Sequence, residues 1–182
     1  MGVGRLRYPA AVPPIIDERT RRLPLWLALA SVLAGAAAWA HYAALGIVLS
    51  HYDTKGHLVV ARRVFDGLTP GWQQIGAVWL PLPHLLNMLP VQVDWLYRTG
   101  LSASLISMIS LAVAVAAVAQ VVLRTTGSWM AAVCGAVLIG ANPNLLYLQT
   151  TPMTEPLLLG LGFLTVAWTR DWIASGAPRV PT

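Results

Sequence analysis

Residues 23–49 contain no Asp, Glu, Lys or Arg, and this long charge-free run constrains the fold more than any other feature of the sequence. A helix of about 20 residues crosses a membrane, because each residue rises about 1.5 Å and the hydrocarbon core is about 30 Å thick. Further apolar stretches lie at about 101–123, 128–146 and 154–172. The pattern predicts an all-α integral membrane protein with four transmembrane helices.

The overall composition of the 182-residue chain agrees with this class of protein. Hydrophobic residues make up 57% of the chain and charged residues only 10%, whereas about a quarter of the residues in a typical soluble domain are charged. A small soluble globule is therefore excluded, and the apolar content also excludes a disordered chain. The single cysteine, Cys134, rules out an intramolecular disulfide.

Basic residues lie at the ends of the apolar runs and predict the orientation of the chain. Five arginines precede the first run, and the positive-inside rule places such segments in the cytoplasm. The sequence thus divides into a cytoplasmic N-terminus (1–22), a membrane domain (23–174) and a cytoplasmic tail (175–182), in the plasma (inner) membrane. Because topology accounts for the net charge of +5, membrane lipids are the expected partners and nucleic acid is not.

A cleaved signal peptide is the alternative for the first apolar run. Ala38-Trp39-Ala40 resembles a signal-peptidase site that follows an apolar stretch. The apolar run continues to Leu49, however, and this length favours an uncleaved span.

The segment 50–100, between the first two spans, is predicted to be a long extracytoplasmic loop with structure of its own. From 54 to 68 the apolar residues recur at helical spacing, and charged residues fall on the opposite face. Three prolines bracket a second short helix near 84–89. Tryptophans and a tyrosine in the loop supply anchors at headgroup depth. We therefore expect two interfacial helices that lie on the membrane surface.

Two carboxylates stand out because each lies where a predicted span meets the extracytoplasmic surface. Asp53 follows the first span, and Glu155 opens the fourth. Either side chain can act as a helix cap or a first-turn acid, which favours the helix dipole without any chemistry. Either can also serve as a base or orient a substrate hydroxyl. The two interpretations are compatible, and both remain open for each residue.

The loop also carries basic residues that could meet a phosphate. Lys55, Arg62 and Arg63 are predicted to be extracytoplasmic. There they could attract anionic headgroups or bind the phosphate of a lipid-linked substrate. His84 lies on the second loop helix, where packing is the favoured role.

A metal site is not indicated by the sequence. His51, Asp53 and His57 lie close together in the chain, but their spacing fits no known ligand pattern. A divalent metal is compatible with these residues without being required by them. No cofactor is therefore predicted.

Several of these residues form a pattern that resembles the GT-C superfamily of glycosyltransferases. Asp53, followed by the 61–67 stretch Ala-Arg-Arg-Val-Phe-Asp-Gly, resembles the first extracytoplasmic loop of these enzymes. The proline-rich stretch 79–86, Asn142-Pro143 and the 153–158 stretch Met-Thr-Glu-Pro-Leu-Leu agree in order and in placement relative to the spans. The pattern looks most like that of the protein O-mannosyltransferase-like and aminoarabinose-transferase-like enzymes.

The resemblance implies a reaction and roles for the candidate site residues. Enzymes of this family transfer a sugar from a polyprenyl-phosphate donor to an acceptor hydroxyl on the extracytoplasmic side. Asp53 would be the catalytic carboxylate that takes the proton from that hydroxyl, and Glu155 would orient the acceptor or a basic residue. The candidates for binding the donor phosphate are Lys55, Arg62, Arg63 and His84.

The sequence also departs from the family pattern. Thr54 stands where relatives usually have Glu, and Leu82 interrupts their Pro-Pro pair. The resemblance covers about 22–170 and only the N-terminal part of such an enzyme, so it implies weak or no activity alone and leaves room for a partner chain that supplies further helices. The alternative is a non-catalytic membrane scaffold or subunit that retains a truncated GT-C fold.

The positions of the two carboxylates distinguish an enzyme from a scaffold. In an active site we expect the carboxylates of Asp53 and Glu155 within about 10 Å of each other, at the mouth of a cavity. In a scaffold each carboxylate would remain a solvated helix cap.

Overall fold

The computed structural model describes residues 17–76 and 78–175, and that part of the chain is helical, with no β-strand. Its α-helices are α1 (Glu18–Arg21), α2 (Leu23–Ala44), α3 (Tyr52–Arg62), α4 (Pro81–Asn87), α5 (Asp94–Thr99), α6 (Leu101–Thr126), α7 (Trp129–Gly140), α8 (Pro143–Leu148) and α9 (Glu155–Ala174). The all-α class predicted from the sequence is thus confirmed for the described residues. Most of the predicted N-terminal segment 1–22 and of the tail 175–182 lies outside them.

Helices α2, α6 and α9 are long and apolar enough to cross a membrane. They have 22, 26 and 20 residues, which corresponds to about 30 Å or more of helix at 1.5 Å per residue. Helix α7 is also apolar but has only 12 residues, or about 18 Å. The structure therefore contains three candidate spans in the described part of the chain, at three of the four predicted positions.

Helix α2 ends at Ala44, earlier than the predicted boundary at residue 49. Gly46 follows with a φ of 72°, in the left-handed region that glycine adopts at little cost. Its N–H donates to the Ala43 carbonyl oxygen, which closes the last turn. The chain then turns away from the helix axis, so that α3 begins at Tyr52 as a separate element.

Helix α6 is the centre of the bundle and packs against α2, α7 and α9. Its buried face is rich in alanine and serine, and such small residues let neighbouring backbones approach closely. The closest approach is to α9, where a Cβ on Gly160 would lie only 2.5 Å from the Ser110 carbonyl oxygen. Towards α7 the packing is apolar, around Ala119, Leu123 and Ala132.

Hydrogen bonds at both ends show that α6 and α9 run antiparallel. At one end the Arg170 guanidinium donates to the Arg124 carbonyl oxygen over 2.6 Å. At the other end the Ser107 hydroxyl donates to the Met153 carbonyl oxygen over 2.8 Å, just before α9 begins. The chain between residues 127 and 153 therefore returns from the Arg124 end to the Ser107 end, through α7 and α8.

In its described residues, the segment between α2 and α6 contains three short α-helices and two single-turn 3-10 helices, whereas the sequence predicts two helices. Helix α3 ends at Arg62 rather than near residue 68. Helix α4 begins at Pro81, because proline is well suited to the first turn of a helix. Helix α5 was not predicted, since its six residues are too few to show a periodic pattern.

Candidate functional site

The two carboxylates singled out by the sequence lie in the first turns of α3 and α9. The His51 ring caps α3 by accepting from the Asp53 backbone N–H, with an Nδ1–N distance of 3.3 Å. Thr54 is fully buried, and its hydroxyl donates to the His51 carbonyl oxygen over 2.6 Å. Thr54, at the position where the resembled family carries Glu, therefore has a structural role in starting α3.

His57, one turn further along α3, is the residue that connects the two carboxylates. Its side chain is buried, and burial lowers the pKa of its imidazole. The negative charges of Asp53 and Glu155 both oppose this effect and raise the same pKa. Both carboxylates therefore lie within electrostatic reach of one imidazole, with Asp53 half-buried and Glu155 exposed.

His57 pairs with His84 of α4, and the two rings form the polar centre of the site. The distance from His57 Nδ1 to His84 Nε2 is 3.0 Å, so one nitrogen donates a proton and the other accepts it. His84 is 1% exposed. Burial first and then the charge of His57 lower the pKa of His84, and the Leu80 carbonyl opposes them.

Trp79 covers the histidine pair from one side. Its ring centroid lies 4.4 Å from that of His57. Gly56 makes this contact feasible, because a Cβ at that position would lie 2.8 Å from the Trp79 ring. The indole thus rests on the backbone of α3, and it excludes water from one face of His57.

Two cavities lie near the histidine pair and share Pro83, Thr154 and Leu157 in their linings. The larger has a volume of about 370 Å³ and is lined by residues 78–80, 82–83 and the first turns of α9, with Glu155 as the charged residue in its lining. The smaller has a volume of about 20 Å³ and is lined in part by His57, His84 and Asn87, enough for about one water molecule. Glu155 thus lines the larger cavity and the histidine pair lines the smaller, whereas Asp53 lines neither.

Arg62 is committed to internal contacts. Its Nε donates to Asp66 over 2.8 Å, and its Nη2 donates to Asp94 over 2.6 Å. The guanidinium also lies 4.6 Å from the ring centroid of Tyr97. Both hydrogen bonds raise the pKa of Arg62, and the bond to Asp94 lowers the pKa of the Asp94 carboxyl. Arg62 therefore ties α3 to α5 through its side chain.

The predicted site residues thus fall into two groups. His57 contacts His84, and its pKa responds to the charges of Asp53 and Glu155. Lys55 and Arg63 are exposed, Arg62 faces α5, and none of these three lines either of the two cavities.

Sequence reasoning overlooked His57 as the centre of the site and considered it only as a metal ligand. The two histidines are 27 residues apart on different helices, so no local spacing could have paired them. Within residues 17–76 and 78–175 no group of three or more His, Cys, Asp or Glu side chains is arranged to hold a metal ion.

The class of protein that the fold and site define is an α-helical protein with three helices able to cross a membrane and, at one end of its bundle, a buried histidine pair within electrostatic reach of two carboxylates. Comparison with protein-family models, curated proteins and solved structures finds no match to the chain.

Proposed function

We propose that the chain is a GT-C-type glycosyltransferase, or the N-terminal module of one. It transfers a sugar from a polyprenyl-phosphate donor to an acceptor hydroxyl on the extracytoplasmic face. One observation carries the proposal: the charges of the carboxylates of the two acidic motifs, 102 residues apart, both raise the pKa of His57, and Glu155 also lines an apolar cavity.

Asp53 supplies the base in this proposal. It accepts the proton of the acceptor hydroxyl as the hydroxyl oxygen bonds to the anomeric carbon of the sugar. The bond from that carbon to the phosphate oxygen breaks, and polyprenyl phosphate leaves with the electron pair. Because the phosphate is a good leaving group, the protein contributes mainly positioning and charge stabilisation. Glu155, which lines the larger cavity, orients the acceptor.

The cavity beside Glu155 suits the apolar part of such a donor. Ligand cavities of roughly 300–1,000 Å³ with mostly apolar walls are typical of small-molecule sites, and this one has about 370 Å³. The leucines of α9 and of residues 78–83 would contact the first isoprenoid units. Lys55 and Arg63 are exposed cations near the start and end of α3, and they are the proposed ligands of the donor phosphate.

The membrane topology forms part of the proposal. The N-terminus and the far ends of α6 and α9 lie on the cytoplasmic side of the plasma (inner) membrane, and α3 and α4 lie on the opposite surface as interfacial helices. The return between residues 127 and 153 is a fourth crossing, made by α7 together with α8. Membrane lipids surround the bundle, and a partner chain supplies further helices of the donor cavity.

A non-catalytic scaffold or subunit is the second candidate. It is favoured by the placement of both carboxylates in first helical turns, where a negative charge stabilises the helix without any reaction. In that case the histidine pair and Trp79 would serve only to join α3 to α4.

Replacing Asp53 with asparagine separates the two candidates. The full chain is expressed in native cells that lack their own copy, so that any partner chain is present, and sugar transfer from radiolabelled polyprenyl-phosphate donor is measured in their membranes. We expect Asp53→Asn to lower transfer by about 100-fold or more, as removal of a positioned base does. The control is Asp66→Asn, which removes an exposed carboxylate on the same segment and should leave transfer unchanged.

Donor binding distinguishes a lost base from a lost fold. Purified Asp53→Asn protein should bind the donor as the unmodified chain does. Equal transfer by both proteins at equal expression would contradict the enzyme and favour the scaffold.

A further inference from the structure

We propose that the cleft between the end of α2 and the end of α5 binds the phosphate headgroup of an anionic membrane phospholipid, with Arg98 as its cation and Trp39 in its apolar wall. The site is separate from the histidine pair. It does not depend on the proposed glycosyl transfer.

The cleft has the size and lining of a headgroup site. Its volume is about 210 Å³, far more than a single water molecule needs. One wall is formed by Trp39 and Ala43 of α2, and a second by the connection from Gly46 to Leu49. Arg98 and Thr99, at the end of α5, close the cleft. Its lining is thus largely apolar, with a guanidinium and an indole among the side chains.

The indole of Trp39 forms part of the apolar wall of the cleft. Its Nε1 atom is buried, so an occupant of the cleft contacts the ring and not the N–H group. Tryptophans near the end of a membrane span commonly lie at headgroup depth, with the ring against the apolar part of the lipid.

Arg98 supplies the positive charge. Within residues 17–76 and 78–175 no carboxylate lies within 4.0 Å of its guanidinium. Asp94 is close enough to Arg98 for the guanidinium charge to help lower the pKa of the Asp94 carboxyl. Asp94 is already bonded to Arg62, however, and so is Asp66. The charge of Arg98 is therefore available to an anion in the cleft.

A phospholipid fits this combination better than free phosphate does. Trp39 and Ala43 belong to a helix that is long and apolar enough to cross a membrane, so an occupant can reach the cleft from the lipid phase. The cleft lies where α2 ends, at the depth expected for headgroups. Arg98 would pair with the phosphate, while Ala43 and Leu49 contact the glycerol backbone and first methylenes. Free phosphate would leave these apolar walls without a partner.

Lipid retention by the full chain tests the proposal. The protein is purified in detergent, titrated with phosphatidylglycerol or phosphatidylcholine, and examined by native mass spectrometry. We expect specific retention of phosphatidylglycerol. Arg98→Gln should weaken that retention about tenfold or more, because a hydrogen bond to a charged group contributes roughly 1.5–3 kcal/mol. Trp39→Phe should weaken it by a smaller factor.

Controls separate lipid binding from general charge and from folding. Arg19→Gln removes an exposed cation of α1 that does not line the cleft, and it should retain phosphatidylglycerol as the unmodified chain does. Thermal unfolding in lipid-free detergent should be the same for all three variants. Unchanged retention by both Arg98→Gln and Trp39→Phe would overturn the proposal. So would full displacement of phosphatidylglycerol by millimolar inorganic phosphate, because that result would identify a free-anion site.

Discussion

At the scale of single residues, burial restricts the number of protons that the histidine pair can carry. His57 and His84 are 5% and 1% exposed, and a single proton between their facing nitrogens satisfies the 3.0 Å contact. A further proton on the pair would charge one of the two rings, in a site that burial already makes unfavourable for charge. The carboxylates of Asp53 and Glu155 compensate only in part, because burial is the larger effect on the pKa of His57.

Because the pKa values of both histidines are lowered in the folded state, we expect the protein to become less stable as the pH falls. Both imidazoles have a pKa below the ordinary value near 6.5 in the folded state, so between that lowered pKa and about pH 6.5 the unfolded chain binds more protons. Stability is therefore present above about pH 6.5 and is lost as the pH falls through the lowered pKa values. We expect the melting temperature in detergent to drop between about pH 7.5 and about pH 5.

The His84→Gln variant identifies the source of this pH dependence. Glutamine can still hydrogen-bond to His57 but does not titrate, so the melting temperature should fall less steeply with acid. His51→Gln, at an exposed position, should keep the slope of the unmodified chain. If His84→Gln and the unmodified chain have the same slope, the histidine pair is not responsible.

Two neighbouring arginines show why residue roles could not all be predicted from the sequence. Arg62 and Arg63 are chemically identical and equally placed in the motif. Only the fold distinguishes them, because Asp94 lies 32 residues away and still bonds to Arg62. The positions of Asp53 and Glu155 in first helical turns were predictable, since Asp53 follows the first apolar run and Glu155 opens the last. The His57–His84 contact was not, since it depends on how α3 and α4 pack.

At the scale of helices, the long apolar elements were predictable and their ends were not. Residues 101–126 contain a continuous apolar run bounded by Gly100 and Gly127, both with positive φ, and the predicted span lies within α6. The predicted span 128–146 is instead divided, because Asn142 caps a new helix by accepting from the backbone N–H groups of Asn144 and Leu145. A hydropathy profile does not detect such a cap, because asparagine and proline change the mean hydropathy of the stretch at only two positions.

The packing of α9 on α6 predicts different effects at two glycines of the same helix. A Cβ on Gly160 would lie 2.5 Å from a backbone oxygen of α6, whereas a Cβ on Gly162 would meet no heavy atom within 4 Å. Gly160→Ala must therefore push the helices apart, and we expect it to lower the free energy of unfolding by about 1–3 kcal/mol. Gly162→Ala should be neutral or stabilising by up to about 1 kcal/mol, because alanine favours helix.

Thermal or denaturant unfolding in one detergent, with both variants measured side by side, checks this difference. The two substitutions are chemically the same and lie half a turn apart. Equal destabilisation by both would mean that the α6–α9 contact is looser than the structure indicates.

At the scale of the whole molecule, the ends of the helices define two opposite surfaces. One carries the start of α2 and the cluster of Gln120, Arg124, Arg170 and Asp171, where the Asp171 carboxylate accepts from Gln120 and pairs with both arginines. The other carries the histidine pair, both candidate carboxylates and the cleft at Arg98. Charges are compensated at the first surface, whereas at the second Arg98 has no ion-pair partner among the described residues, in agreement with the proposed lipid site there.

The number of membrane crossings determines which residues share a side. Three crossings, by α2, α6 and α9 alone, would put Ser175 on the side opposite Glu18. The proposed fourth crossing between residues 127 and 153 puts them on the same side, because α6 ends beside Arg170 while α9 begins beside Ser107. Single cysteines in a Cys134→Ser background can therefore count the crossings by parity. Suitable positions are Glu18→Cys, Leu68→Cys and Ser175→Cys, with Leu68 fully exposed in the segment after α3.

Labelling of intact cells with a membrane-impermeant thiol reagent gives the answer. We expect Leu68→Cys to react in intact cells, and Glu18→Cys and Ser175→Cys to react only after permeabilisation, since the positive-inside tendency holds the arginine-rich end in the cytoplasm. The unsubstituted Cys134→Ser chain is the blank. Reaction of both Leu68→Cys and Ser175→Cys in intact cells would reduce the crossings to three. Reaction of Glu18→Cys and Ser175→Cys without Leu68→Cys would reverse the orientation. In the reversed case the histidine pair would face the cytoplasm, and the lipid-linked donor would have to be presented there.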